Sequence, residues 1–214
     1  MASADYLRIL VRGRQTHGAM PWGGVDPVVA AAQIILGLQT VVSRQVDLTT
    51  SPAVVTVATI HGGVRSNIIP DSVEMTGTIR ALDPAVQQEM HEHVRRTAQR
   101  IAESAGATAD VQIGLGYPVT YNDPALTDRM VSVLRHVLGS DRVLLRGPLT
   151  GAEDFSFFAQ QVPGFYFWLG VTPPTQDLRT AARNHSPEFF VDESALLTGV
   201  RALSHLSIAC LSVP

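Results

Sequence analysis

The sequence predicts a mixed α/β fold in two parts, a ferredoxin-like β-α-β-β-α-β unit over residues 5–118 and a second α/β piece over residues 119–214. Three observations carry this reading. Stretches of the first half are rich in Val, Ile and Leu or alternate apolar and polar residues with a period of two, as half-buried strands do. Two long stretches between them repeat at helical spacing and open on Asp-Pro, a capping residue followed by the residue best tolerated at the first helical position. In the second half, Phe165 to Val171 is a nearly continuous apolar run, the pattern of a strand covered on both faces.

Tyr6 to Arg12 forms the first predicted strand and runs into the glycine-rich loop Gly13 to Gly24. Asp26-Pro27 then opens a helix from Val28 to Arg44, with Val29, Ala32, Ile35, Leu38 and Val42 at helical spacing. Ser51-Pro52 breaks that pattern, and Ala53 to Ile60 is a Val/Thr-rich strand ending at His61-Gly62-Gly63. Asn67 to Asp71 reads as a turn. Ser72 to Leu82 alternates again, setting Val73, Met75 and Ile79 against Glu74, Thr76, Thr78 and Arg80. Asp83-Pro84 opens a second helix to Ala105, Gly106 ends it, and Ala109 to Gly116 is the last strand of the unit. Such a sheet, with both helices on one side, keeps an exposed edge, and pairing two copies through this unit is an economical way to cover it.

In the second part, Asp123-Pro124 caps a third helix to Leu138, and Arg142 to Leu145 reads as a short strand. The loop Gly147 to Phe155 turns into a helix stopped by Pro163-Gly164, and a final helix runs from Ser194 to Leu211. A central strand needs neighbours on both sides, and this stretch supplies too few, so the second part reads as incomplete.

Composition narrows the chemistry. The 214 residues are 45% hydrophobic and 16% charged, ordinary for a globular protein, and the net charge of -3 leaves no basic footprint for nucleic acid or an anionic membrane surface. No uninterrupted apolar run reaches the ~18 residues that span a bilayer. Met1-Ala2-Ser3-Ala4-Asp5 lacks a basic and apolar leader pattern, and the single cysteine, Cys210, forms no intrachain disulfide, so a cytoplasmic location is expected. All sixteen basic residues are arginine, which excludes Schiff-base and Walker-type lysine chemistry.

No phosphate-binding loop, dinucleotide fingerprint, Cys-x-x-Cys or His-Glu-x-x-His occurs. His91 and His93, two apart on a charged helix, are read as solvated surface residues. The remaining chemistry-bearing residues in loops or at strand ends are His17, Asn67, Arg80, Glu153 with Asp154, and His185. Each also has a plain structural reading. His17 can stabilise its own turn, Asn67 can hold an Asx-turn, and Arg80 can pair with Glu74 or Asp71. Glu153 and Asp154 can offset a helix dipole, and His185 can be a solvated loop residue.

Five segments in a fixed order, Gly13-Arg14-Gln15-Thr16-His17-Gly18-Ala19-Met20-Pro21, Gly63 to Pro70, Gly77-Thr78-Ile79-Arg80, Gly151-Ala152-Glu153-Asp154-Phe155 and Asn184-His185-Ser186-Pro187, resemble the C-terminal portion of an M20 family metallo-amidohydrolase, nearest the hippurate hydrolase, aminoacylase and indole-acetyl-amino-acid hydrolase branch. The resemblance covers nearly the whole chain. It implies a lid or dimerisation domain over residues 5–118, followed by the C-terminal part of the catalytic domain. It also implies hydrolysis of N-acyl amino acids or similar small substrates with one or two divalent ions, Zn, Mn, Ni or Co. By position, His185 is similar to the last metal ligand. His17 is similar to the lid histidine that polarises the scissile carbonyl in the partner subunit's site. Asn67 and Arg80 match lid positions for the reaction oxyanion and the substrate carboxylate, and Gly151 and Glu153 match the loop lining the site.

The family's remaining ligands and its general-base glutamate come from a catalytic half preceding the lid, and one candidate ligand is found here. The expectation is therefore an amidohydrolase portion inactive without that half, working as a homodimer through the lid. The alternative is a non-catalytic dimerisation or interaction protein built on the lid fold.

Overall fold

Strict alternation along β1 (Ala4–Arg12) turns Asp5, Leu7, Ile9 and Val11 to one side, where all four are 2% exposed or less. That face fixes β1 at the centre of a four-stranded sheet. The computed structural model describes residues 1–47, 49 and 51–212, so Val213 and Pro214, the end of the predicted second part, lie outside the described residues. Two compact units emerge, one of residues 1–120 with 148–158, the other of residues 121–147 with 159–214.

In the first unit, β1 is followed by the two-residue strand β2 (Thr16–His17), helix α1 (Pro27–Thr40), β3 (Ala53–Gly62), the two-residue strand β4 (Ile68–Ile69), β5 (Ser72–Ala81), helix α2 (Pro84–Ser104) and β6 (Thr108–Tyr117). The long strands pair antiparallel in the order β3-β5-β1-β6, the arrangement expected of a split β-α-β-β-α-β unit. Both Asp-Pro signals act as read. The Asp26 carboxylate accepts from the Val28 and Val29 amides, and the Asp83 carboxylate from the Ala85 and Val86 amides. Gly106, at φ 74°, closes α2 in the left-handed conformation. The core joins the inward side of β1 and β5 to Ile34 and Leu38 of α1 and to Met90, Val94 and Ala98 of α2.

Two details depart from the sequence reading. Helix α1 gives way at Val41 to a wider π-type turn through Gln45, and the predicted turn at Asn67 to Asp71 contains β4, which pairs with β2. His91 is also not solvated. It is 8% exposed, because its position on α2 falls against the sheet and Asp5, a carboxylate on the inward side of β1, requires a partner there.

In the second unit, the Asp123 carboxylate caps α3 (Pro124–Leu138) through the Leu126 amide, and α3 packs on α5 (Ser194–Leu211) around Met130, Leu134, Ala202 and Leu206. The short helix α4 (Phe155–Ala159), which follows the Gly147 to Phe155 loop, belongs to the first unit as far as Phe158. The strands predicted at Arg142–Leu145 and Phe165–Val171 are absent among the described residues. Ser140–Arg142 is a 3-10 turn, and Phe165 to Val171 joins no strand. An apolar run makes a strand only where neighbouring backbone accepts its hydrogen bonds. Here a side chain does part of that work: the Asn122 amide donates to the Tyr166 carbonyl and accepts from the Tyr166 amide, both at 2.8 Å.

The helical stretches Pro27–Gln45 and Ser194–Leu211 are long and apolar enough on average to cross a membrane, a test that soluble core helices also pass. In α5 the apolar excess remains exposed at Leu197, Val200, Leu203 and Ile208.

Candidate functional site

The backbone beyond β1 is shaped by short closures. Gly13 N–H donates to the Asp71 carbonyl, and Arg14 and Val25 pair through both of their backbone groups, closing the intervening loop on itself. Inside it, β2 pairs with β4, placing His17 opposite Ile68, and the Gly18 amide donates to the Asn67 carbonyl at 2.8 Å. The fold thus brings His17 and Asn67, fifty residues apart in the chain, onto one small ribbon.

Both side chains are exposed there. The His17 Nδ1 accepts the Ala19 amide hydrogen at 3.0 Å. In the neutral ring an accepting Nδ1 leaves the proton on Nε2, so the exposed nitrogen of His17 is a hydrogen-bond donor. The Asn67 side chain makes no hydrogen bond among the described residues, so its amide is also free to donate. The ribbon presents two hydrogen-bond donors side by side, the chemistry that can stabilise a developing oxyanion.

Arg80 occupies a different place. It is half-buried on β5, eight residues beyond Ser72, which sets it about 26 Å along the strand from the ribbon end of the sheet. Neither acid offered by the sequence pairs with it. Glu74 is bound by Arg8, and Asp71 accepts from the Ser72 hydroxyl. Among the described residues no acid forms an ion pair with Arg80, and its guanidinium is a group suited to a carboxylate.

The Gly151 loop lies at this same end of the sheet. Ser3 N–H donates to the Ala81 carbonyl, and the adjacent Ala2 N–H is shared between the carbonyls of Leu149 and Gly151. Glu153, half-buried, accepts the Ser156 amide and hydroxyl through its carbonyl. The first unit accordingly carries two groups of the predicted residues, His17 with Asn67 at one end of the sheet, and Arg80 with Gly151 and Glu153 at the other.

His185 belongs to the second unit, in an exposed turn closed by the Ser186 amide donating to the Arg183 carbonyl at 3.1 Å. Among the described residues no group of three or more His, Cys, Asp or Glu side chains could hold a metal ion. His185 fits as one imidazole ligand, and the complete set that a catalytic zinc requires is not formed by these residues.

The sequence reading missed a buried polar cluster. Asp5 Oδ2 lies 2.7 Å from both His91 Nε2 and Gln87 Nε2, and the Gly116 amide approaches Asp5 Oδ1 at 3.4 Å. Burial alone would raise the Asp5 pKa. The hydrogen bonds from His91 and Gln87, with the attraction of His91 and the Gly116 amide, outweigh it and hold the carboxyl below its usual range. The signal was present in the sequence, since Asp5 shares the parity of Leu7, Ile9 and Val11.

Residues 15–209 match the profile of peptidase family M20/M25/M40. The chain is 38% identical over 210 residues to thermostable carboxypeptidase 2 of Saccharolobus solfataricus, covering 98% of this chain and 51% of that protein. It is 34% identical over 211 residues to the N-acetylcysteine deacetylase of Bacillus subtilis, covering 99% and 53%. Among solved structures it is similar to Bacillus subtilis YXEP, described as a dinuclear metal binding peptidase from the M20 family, with a TM-score of 0.79 and 30% identity over 100% of this chain and 52% of that one. The chain spans about half the length of the curated relatives it matches.

Proposed function

The chain belongs to peptidase family M20/M25/M40, and from that premise we propose that it forms the lid and the C-terminal part of the catalytic domain of a metal-dependent amidohydrolase acting on N-acyl amino acids or similar small substrates. The observation that carries this reading is the ribbon, where His17 Nε2–H and the Asn67 amide present donors on one hydrogen-bonded pair of short strands. Such a pair is suited to the carbonyl oxygen of an amide as it gains charge, and removing one donor costs about 3 kcal/mol of transition-state stabilisation. Arg80 grips the carboxylate of the amino-acid portion, and Gly151 and Glu153 line the surface beside it.

The separation of about 26 Å between the ribbon and Arg80 exceeds the length of a small N-acyl amino acid. One lid cannot touch such a substrate with both groups, so His17 and Asn67 serve the site of a second copy. Dimerisation through the lid meets this need. On α1, Val29 and Leu36 are 53% and 70% exposed on a helix with no charged residue between Asp26 and Arg44.

His185 supplies one ligand for a divalent ion such as Zn, Mn, Ni or Co. The other ligands and the general base must come from outside these residues, in a complementary catalytic half. The test is metal analysis and hydrolysis of N-acetyl and N-benzoyl amino acids by the isolated chain. No turnover and no stoichiometric metal are expected. Tight stoichiometric metal with turnover would overturn the half-site reading.

A further inference from the structure

The sheet register lines up Val54, Arg80, Ala4 and Tyr117 in one row across β3, β5, β1 and β6. Val54 pairs with Arg80, and Ala4 with Tyr117. Asp5 opposite Ile79, and the Ser3 amide on the Ala81 carbonyl, place Ala4 opposite Arg80. Asp5, Ile79 and Ala81 are 1% exposed or less, so strand alternation turns the row to the side of the sheet away from the helices. Two strand spacings set Arg80 and Tyr117 about 10 Å apart, with only the Ala4 methyl group between them. Phe157 of α4, within the same unit, meets Tyr117 edge to face, with ring centroids 5.9 Å apart. Phe157 and Tyr117 are 49% and 41% exposed, and an edge-to-face pair leaves ring faces uncovered by the partner. A third ring, Tyr6, is 67% exposed on the same face and leans over Gly116, where a Cβ would come within 3.3 Å of it. Aromatic surface therefore borders one side of the gap at Ala4. Arg80, in no ion pair among the described residues, borders the other.

We propose that this gap receives the amino-acid portion of the substrate and selects an aromatic side chain there, as in an N-acyl phenylalanine, tyrosine or tryptophan. The inference rests on reading Arg80 as the carboxylate position and deepens it. A guanidinium facing a group of rings is complementary to an anion that carries its own ring. An aromatic α-amino acid is such an anion, because its carboxylate and its side chain leave the same carbon. With the carboxylate on Arg80, the side chain passes over the Ala4 methyl group onto Tyr117 and Phe157. A small side chain would leave those rings in water and forfeit the burial. Ala4 keeps the passage open, since a longer side chain at that place in the row would fill it. Apolar surface gathered beside a single charged group is also the usual composition of a small-molecule site.

The full chain is titrated with N-acetyl-L-phenylalanine and with N-acetyl-L-alanine, and binding is followed by NMR at the backbone amides of Arg80 and Tyr117. The phenylalanine probe is expected to bind about tenfold more tightly than the alanine probe. Tyr117→Ala and Phe157→Ala should each remove most of that preference and leave the alanine probe unaffected, while Tyr117→Phe keeps it. Both positions are about half exposed, and the amide spectrum of each variant reports whether the fold is retained. Equal binding of the two probes by the parent chain, binding of neither, or a preference that survives both ring truncations overturns the proposal. Arg80→Ala tests the premise separately and is expected to weaken both probes alike. Unchanged binding of the alanine probe by that variant would sink the carboxylate reading, while a phenylalanine preference lost in the ring variants would still stand as an aromatic subsite.

Discussion

At the scale of single residues, Asp5 shows how a charge in the wrong place for water becomes a fixed structural feature. Its side chain is fully buried and bound by His91 and Gln87, so α2 is tied to the middle strand of the sheet by polar groups as well as by packing. Breaking such a pair from one side leaves an uncompensated partner, and Asp5→Ala is expected to cost about 3–5 kcal/mol in urea denaturation at neutral pH. The pH dependence follows from the lowered Asp5 pKa. The unfolded carboxyl titrates near its ordinary value and the folded one below it, so this stabilisation is complete above the unfolded pKa and is lost as pH falls through the folded one. Stability measured between pH 5 and pH 2 should fall more steeply for the parent chain than for Asp5→Asn, and parallel profiles would show that the cluster carries no such linkage. At the same scale His17 is defined by one hydrogen bond: the Ala19 amide on Nδ1 decides which ring nitrogen can donate outward.

At the scale of elements, the segment Gly77-Thr78-Ile79-Arg80 separates into a structural and a chemical part. A Cβ on Gly77 would lie 1.8 Å from the Thr56 carbonyl oxygen, backbone that cannot rotate away, beside the register shift between Val57 and Thr59. Gly77→Ala must therefore move β3 away from β5, and a loss of about 1–3 kcal/mol is expected in chemical denaturation. A neutral result would mean that the shifted register of β3 absorbs the methyl group. Elements were also where local signals held best. The caps at Asp26, Asp83 and Asp123 were legible because capping is decided within three residues, whatever the rest of the chain does. The failed strands, Arg142–Leu145 and Phe165–Val171, depend on partners far along the chain or outside it. Phe165 and Phe167, expected in a strand covered on both faces, instead pack partly buried against the apolar cluster of α3 and α5, with no paired strand beside them among the described residues.

At the scale of the whole molecule, the exposed apolar stripe on α1 carries the proposed dimer. Leu36→Glu places a charge in its centre without touching the core, since Leu36 is 70% exposed. Light scattering at micromolar concentration should show the parent chain as a dimer and the variant as a monomer with unchanged helix content. A monomeric parent chain would refute the interface.

Taken alone, the sequence determined what short-range chemistry can determine: three Asp-Pro helix starts, the parity that buries β1 and β5, the order β-α-β-β-α-β, and the identity of the candidate groups His17, Asn67, Arg80, Gly151, Glu153 and His185. The tertiary structure decided how those groups are distributed. It joined His17 to Asn67 through the β2–β4 ribbon, carried Arg80 to the opposite end of the sheet beside the Gly151 loop, buried His91 against Asp5, and set His185 in a left-handed corner. For the ribbon and for the placement of Arg80 the physical reason is the same. Backbone pairing and burial between residues far apart in sequence leave no periodic trace in the segments they bring together.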